Sequence, residues 1–197
     1  MGRRQTAVEQ TRERIVTAAF DLHATIGPSR TTIRAIAERA GLQRHTVYAH
    51  FPDLDSLYEA CSVHGIHSTA MPEPDGWRTI DSPGDRLRHG LTEMIDWHRA
   101  NERMLGNVLF DIDPTAPPPT TPDPFEVRMD ALHGALLEGW TMDAERRPAV
   151  EAVVHHAMAF TTWRSLTAAR LTDHQAVGVL VGLVEGVADG SIRAPSD

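Results

Sequence analysis

Lysine is absent from the sequence, so all 19 basic residues are arginines. Cysteine occurs once, at Cys61, which excludes an internal disulfide and is typical of a protein in a reducing compartment. No apolar run approaches the ~18 residues that a membrane-spanning helix needs, and no apolar segment follows the basic residues 1–4 as in a secretory signal. We therefore expect a cytoplasmic protein with no membrane partner.

The motifs of common catalytic sites are also missing, because the sequence contains no HExxH, GxSxG or phosphate-binding glycine loop. The 11 histidines raise the question of a metal site. His155 and His156 are adjacent, however, and would point about 100° apart on a helix. His64 and His67 could share a face, but no carboxylate stands at a convincing spacing nearby. We predict no catalytic residue, metal or cofactor, and a helical metal-dependent enzyme is the weakest alternative.

Charge is divided unevenly along the chain. Residues 1–51 carry eight arginines and four acidic residues, a net charge of +4, whereas residues 52–197 carry eleven arginines and 23 acidic residues, a net charge of −12. A basic segment joined to an acidic one is typical of a protein whose basic part meets a polyanion. A chance fluctuation in a short segment is the alternative.

Helical periodicity runs through the chain and no alternating pattern persists, so we predict an all-α fold. Apolar residues recur on one face of the first helix: Ile15, Ala18, Ala19, Leu22 and Ile26. Residues 71–76 are rich in turn formers and residues 114–124 hold six prolines, which predicts a connection and an extended, exposed loop. Two long helices, over residues 147–170 and 173–189, are predicted to close the chain.

A helix-turn-helix is indicated over residues 31–51, where two short helical segments flank Gly41. Thr31 is the predicted N-cap of the first segment, and the second runs from about Arg44 to Phe51. In this motif the second helix enters the major groove of duplex DNA, and its first residues meet the base edges. The sequence therefore predicts a three-helix DNA-binding domain.

The second helix of this motif carries an unusual number of long side chains that end in polar groups. It begins with Arg44, His45 and Thr46, and an arginine can donate two hydrogen bonds to guanine while a threonine methyl can touch thymine. Tyr48 and His50 add polar groups that could reach phosphates. The alternative is an ordinary helical hairpin whose polar side chains only face solvent.

Residues 11–58 resemble the TetR family of bacterial regulators. The resemblance is carried, in matching order and spacing, by Ile33, Ile36, Ala37, Ala40, Gly41, Thr46, Val47, Tyr48, His50, Phe51 and Leu57. It implies a homodimer that binds a palindromic operator in double-stranded DNA, usually as a repressor. It also implies base contacts by Arg44 and His45, and backbone contacts by Thr32, Thr46, Tyr48 and His50.

Two positions depart from the family pattern. Gln43 stands where the family commonly has serine, so we expect a weaker N-cap on the second helix of the motif. Leu54 stands where the family commonly has lysine, so we expect one phosphate contact to be missing. Both departures concern affinity and leave the expected fold unchanged.

We predict that residues 1–55 form the DNA-binding domain and that residues 56–197 form an all-helical ligand-binding and dimerisation domain. Gly178, Gly182 and Gly186 are four residues apart and share one helix face, at a cost of roughly 1 kcal/mol each relative to alanine. Close approach of another helix would offset this cost, and the helix is apolar nearly all round, so we expect it to be buried. The family resemblance implies dimerisation through the last two helices, and packing inside one subunit is the alternative.

Large apolar residues and histidines on the middle helices predict a pocket for a small, largely apolar effector that would release a repressor from its operator. Such stripes are also typical of plain hydrophobic core, and a helix-turn-helix regulator that is constitutive or senses a partner protein is the alternative function. The candidate ligand-binding residues are Met94, Trp97, His98, Phe110, Met129, His133, Trp140, His155 and Trp163.

Overall fold

The computed structural model describes residues 2–111 and 122–192. Every regular element in these two ranges is helical, as the periodicity predicts. The predicted proline-rich loop falls largely on residues 112–121, outside the described residues. Among the described helices, none combines the length and apolar character that a bilayer crossing requires.

The α-helices follow one another with short connections, and a 3-10 turn, Pro28–Arg30, joins the first to the second. In chain order they are α1 (Gly2–Ile26), α2 (Ile33–Ala40), α3 (Arg44–His50), α4 (Leu54–Ser68), α5 (Pro74–Arg78), α6 (Pro83–Ala100), α7 (Glu102–Leu109), α8 (Pro124–Leu137), α9 (Arg147–Met158), α10 (Phe160–Ala168) and α11 (Asp173–Asp189).

Contacts group the chain into two compact units. The first unit is Met1–Ala70 with Asn101–Val127, and the second is Met71–Ala100 with Arg128–Asp197. The boundary near residue 55 stays a prediction.

The core of the first unit forms where α1 packs on α2 and α4, and α3 packs on α2. The apolar stripe predicted for α1 supplies its centre, since Ile15 and Ala19 are fully buried. Helix α7 also packs on α1, with Leu105 buried. The buried members of this core are Ile15, Val16, Ala18, Ala19, Ile36, Ala37, Ala40, Val47, Phe51, Leu57 and Cys61.

A buried arginine ties together the start of α6 and the end of α8 in the second unit. Arg86 is only 5% exposed, and its guanidinium donates to the carbonyls of Ile80, Asp81, Ala135 and Glu138. Ala135 and Glu138 lie where the last carbonyls of α8 lack partners within the helix. The charge is therefore stabilised by carbonyl dipoles at the negative end of that helix.

The predicted helix over residues 147–170 is wrong in one respect, because it is broken at Ala159, whose φ of −71° and ψ of 135° are extended. Met158 and Phe160 are both buried, although two residues separated by one position would point about 200° apart on an unbroken helix. The break resets the helical phase so that both side chains enter the core. Alanine gives no sequence signal for such a break.

Two further predictions need correction. Residues 71–76 are not only a connection, because Pro74 opens the short helix α5 and Trp77 in that helix is buried. Helix α11 is not buried all round in the single chain, since Val179 is 52% exposed and Gly178 and Gly182 are exposed as well. Its other side, including Leu180 and Val184, packs into the second unit.

Candidate functional site

The helix-turn-helix begins with a threonine cap. The Thr32 hydroxyl accepts a hydrogen bond of 3.1 Å from the Ala35 amide, which satisfies one free amide of the first turn of α2. The prediction that Thr31 is this cap is wrong by one residue. The Thr31 amide and hydroxyl donate to the carbonyls of Pro28 and Gly27, so Thr31 belongs to the preceding turn.

The tight turn predicted at Gly41 is confirmed. Gly41 has a φ of 65° and a ψ of 39°, in the left-handed region that favours glycine. Its amide reaches the carbonyls of Ala37 and Glu38, and the Leu42 amide donates to the Ala37 carbonyl over 2.9 Å. These bonds end α2 and turn the chain toward α3.

Helix α3 has one buried and one exposed face. Val47 and Phe51 are 0% and 2% exposed and anchor the helix in the core of the first unit. Arg44 and His45 are exposed, and Tyr48 is 49% exposed. Among the residues that the structure describes, neither Arg44 nor His45 has a hydrogen bond or ion pair. The exposed face can therefore offer a guanidinium, an imidazole and a phenol to a ligand.

The other predicted DNA-binding residues frame this face. Thr32 is exposed at the start of α2, while Thr46 and His50 are half-buried on α3. Gln43 caps α3 without a side-chain hydrogen bond, which confirms the expected weak cap. Leu54 is 67% exposed at the first position of α4, so an apolar side chain faces solvent where the family commonly has lysine.

Two arginines of α1 hold the helix-turn-helix, and the sequence did not single them out. Arg12 donates to the His50 carbonyl at the end of α3 over 3.1 Å, and its guanidinium lies 4.1 Å from the centre of the Phe51 ring. Arg14 donates to the Ala40 carbonyl at the end of α2. Both cations meet the negative end of a helix. Because these contacts join distant parts of the chain, no local pattern distinguishes these arginines from their neighbours.

The predicted ligand-binding residues fall mostly in the second unit. Phe110 is the exception, because it belongs to the first unit and is 61% exposed. The others lie on four helices and one connection: Met94, Trp97 and His98 on α6, Met129 and His133 on α8, Trp140 after α8, His155 on α9 and Trp163 on α10.

Three of these residues form an aromatic cluster with Phe160. The centre of the His98 ring lies 5.4 Å from that of Trp97, 5.6 Å from that of Phe160 and 6.0 Å from that of Trp163. His98 and Trp163 are each 3% exposed, and His98 Nδ1 and Trp163 Nε1 find no hydrogen-bond partner among the described residues. Burial lowers the pKa of His98 to about 4, so the ring is neutral at pH 7.

Two more of the candidate residues stack on each other. The rings of His133 and His155 lie 4.7 Å apart, and His133 Nε2 is buried without a partner in the described part of the chain. Burial, and then the neighbouring His155, lower the pKa of His133. Of the remaining candidates, Met94 is 1% exposed, Met129 is half-buried and the Trp140 indole donates to the Leu136 carbonyl.

Known proteins match this chain in its first unit and in its fold. A family model described as bacterial regulatory proteins, tetR family, matches residues 15–61. The tetracycline repressor protein class C of Escherichia coli is 35% identical over 74 residues, which amount to 35% of this chain and 33% of the repressor. The match thus spans about a third of that repressor's length.

Solved structures share the fold over nearly the whole chain. A TetR-family transcriptional regulator from Streptomyces coelicolor has a TM-score of 0.62 at 21% identity, covering 93% of this chain and 82% of that one. NalD of Pseudomonas aeruginosa, the secondary repressor of the MexAB-OprM multidrug efflux pump, has a TM-score of 0.56 at 17% identity, covering 90% and 94%. At these identities the similarity establishes the all-helical fold alone.

The family model and the curated relative agree on one class of protein. The matched family is one of regulatory proteins and the matched relative is a repressor, while the absence of enzyme activity in this chain stays a prediction. The helix-turn-helix with its cap at Thr32 and its turn at Gly41 lies within the matched residues. Residues 15–61 of this chain are thus similar to the tetR family of bacterial regulatory proteins.

Proposed function

We propose that this chain represses transcription by inserting α3 into the major groove of a palindromic operator. The observation that carries the proposal is the division of α3 into two faces, with Val47 and Phe51 buried and Arg44, His45 and Tyr48 exposed. An unpaired arginine at the start of an exposed recognition helix suits bidentate donation to guanine. The net charge of +4 over residues 1–51 supports the same assignment.

The residues of this face divide between two tasks. Base contacts give sequence preference, whereas phosphate contacts fix the position of the protein on the duplex. Arg44 and His45 lie at the start of α3, where base edges are met, and so are assigned to base reading. The backbone contacts are assigned to Thr32, Thr46, Tyr48 and His50.

The proposed regulator is a homodimer that pairs through its last helices, over residues 147–170 and 173–189. The support is the side of α11 that the described part of its own chain leaves exposed. A Cβ added to Gly178 or Gly182 would meet no atom of the described residues within 4 Å, and the adjacent Val179 is half exposed. Burial of this apolar side against a second copy would allow close helix approach and would offset the helix-weakening effect of the glycines.

A small, largely apolar molecule is the proposed effector. The aromatic cluster around His98 supports this assignment, because flat rings favour stacking. The unpartnered nitrogens of His98 and Trp163 favour a molecule with at least one hydrogen-bonding group, since buried polar atoms are normally paired. A molecule that prefers a spacing of the two recognition helices different from that in the DNA-bound dimer would lower DNA affinity by its differential affinity for the two states.

The test starts with selection of bound sequences from random duplex DNA by the full chain. We expect a palindromic sequence whose affinity falls steeply with salt, measured by fluorescence anisotropy. If no duplex is retained at low salt, the proposal is wrong. Aromatic alcohols are then screened for a rise in melting temperature and for release of the selected duplex. If the duplex binds but no compound does both, a regulator without a small-molecule effector is favoured.

A further inference from the structure

Within the first unit, residues at and just after the end of α7 form hydrogen bonds with the end of α1 and with the turn that leads to the helix-turn-helix. The Asn107 side-chain amide donates to the Ala24 carbonyl near the end of α1 over 2.8 Å. Two residues after α7, the carboxylate of Asp111 accepts from the Ser29 amide at 2.7 Å and from the Ser29 hydroxyl at 2.6 Å. The Asp111 side chain thus holds the turn after α1 with both of its oxygens.

The hydrogen bonds between Asp111 and Ser29 require a glycine at position 27. Gly27 is buried and has a φ of +88°, a conformation that L side chains rarely adopt. A Cβ at Gly27 would clash with Asp111 Oδ2. The Asp111 carboxylate therefore occupies the space that a side chain at position 27 would need.

The turn that Asp111 binds leads directly into α2. Ser29 lies in the 3-10 turn Pro28–Arg30, and the Thr31 amide and hydroxyl close that turn onto Pro28 and Gly27. Thr32, the N-cap of α2, is the next residue. A shift of Ser29 relative to α1 would therefore move the starting point of α2, and with it the α2–α3 pair.

The charge of Asp111 works against DNA binding. Hydrogen bonds from Ser29 lower the pKa of Asp111, so it is a carboxylate at neutral pH. An anion in the DNA-binding unit repels phosphates, and electrostatics alone would favour its removal. The hydrogen bonds that the carboxylate accepts from Ser29 therefore account for an aspartate at this position, since its charge would repel a nucleic acid.

We infer that Asp111 is a positioning residue for DNA binding, which sets the placement of α2 and α3 through Ser29. The inference rests on the proposed function, because it supposes that α3 reads a duplex. It assigns a role to a residue 61 positions beyond His50, the end of α3, and outside the family-model match at residues 15–61.

The first test compares Asp111→Asn with Asp96→Asn in the full chain. Both variants remove one negative charge, and Asp96 is exposed on α6 in the second unit. We expect Asp96→Asn to bind the selected duplex as well as the unmodified chain does. We expect Asp111→Asn to bind it about tenfold more weakly, the size of effect that loss of a charged hydrogen bond gives.

The second readout separates positioning from loss of fold. A less stable chain would bind the selected and a scrambled duplex with the same reduced active fraction, whereas a misplaced α3 would lose affinity mainly for the selected duplex. We therefore expect Asp111→Asn to lower the ratio of the two affinities. Ser29→Ala, which removes only the hydroxyl, should lower the ratio in the same direction, and Ser29→Thr should restore it.

The outcomes distinguish the inference from the function on which it rests. If the unmodified chain retains no duplex, the proposed function fails. If the unmodified chain binds but Asp111→Asn matches Asp96→Asn in affinity and in the ratio, the positioning role alone is wrong. Should Asp111→Asn fold poorly, the Ser29→Ala and Ser29→Thr pair decides, and an unchanged ratio in Ser29→Ala overturns the inference.

Discussion

The exposed side chains of α3 should differ in what they contribute to binding. Arg44 can donate two hydrogen bonds to a guanine, whereas the Tyr48 phenol can donate one to a phosphate. We expect Arg44→Ala to relax base preference at one operator position by about 1–3 kcal/mol of discrimination, and Tyr48→Phe to weaken all sequences alike. The measurement is a competition of the selected duplex with single-base variants. Equal losses on every duplex for both variants would contradict these roles.

The buried His98 makes stability depend on pH. Its folded pKa of about 4 lies below its ordinary value of 6.5, so between these values the unfolded chain binds a proton that the folded chain does not. Stability is therefore lost as the pH falls from 7 toward 4. For this histidine the loss between pH 7 and pH 5 is about 2 kcal/mol.

A His98→Phe variant tests this dependence, because phenylalanine fits an aromatic cluster and cannot be protonated. We expect the difference in unfolding free energy between the variant and the unmodified chain to grow by about 2 kcal/mol from pH 7 to pH 5. Urea unfolding at the two pH values measures it, and the other titrating groups cancel in the difference. An equal difference at both values would show that His98 does not resist protonation in the folded chain.

At the scale of elements, the exposed side of α11 can be tested without disturbing the single chain. Within the residues that the structure describes, a Cβ at Gly182 would meet no atom within 4 Å, and leucine raises helix propensity. If a second copy packs there, the side chain would overfill the contact. We expect Gly182→Leu to weaken dimerisation at least about fivefold, since overpacking typically costs about 1–3 kcal/mol.

Gly134→Leu on α8 is the matched control for that variant. Gly134 also has no atom within 4 Å of an added Cβ, but it lies outside the predicted interface helices. Sedimentation velocity over a range of concentrations measures both variants. A Gly182→Leu chain that stays as dimeric as Gly134→Leu would count against pairing through α11.

The sequence predicted the features that local interactions form and missed those that depend on contacts between distant residues. The turn at Gly41 and the two faces of α3 depend on local conformation and on periodicity, and both could be read directly. The break at Ala159 and the grip of Asp111 on Ser29 depend on tertiary contacts. Neither an alanine nor an isolated aspartate carries a local signal for such a contact. The DNA-binding residues were therefore predicted, but the tertiary contacts that position them were not.

At the scale of the whole molecule, the charge division has a physical consequence. The +4 of residues 1–51 favours approach to any duplex, while the −12 of residues 52–197 repels the phosphates that the first segment does not contact. Non-specific affinity is therefore limited, and a regulator with this division gains selectivity from contacts made only when α3 is seated in the groove.

A homodimer with two recognition helices also imposes a geometry on its operator. Twofold symmetry requires two inverted half-sites on the same side of the duplex, about one helical turn apart. Insertion of about five base pairs between them turns one half-site to the opposite side, whereas about ten restores its direction but lengthens the span.

We therefore expect the five-pair insertion to reduce affinity for the selected duplex to that of a single half-site. If the two recognition helices of the dimer keep a fixed separation, the ten-pair insertion should recover little, because neither helix can follow its displaced half-site. Anisotropy titrations with the three duplexes measure this. Equal affinity for all three would mean that each subunit binds alone, and the symmetric dimer would have to be abandoned while the role of α3 could stand.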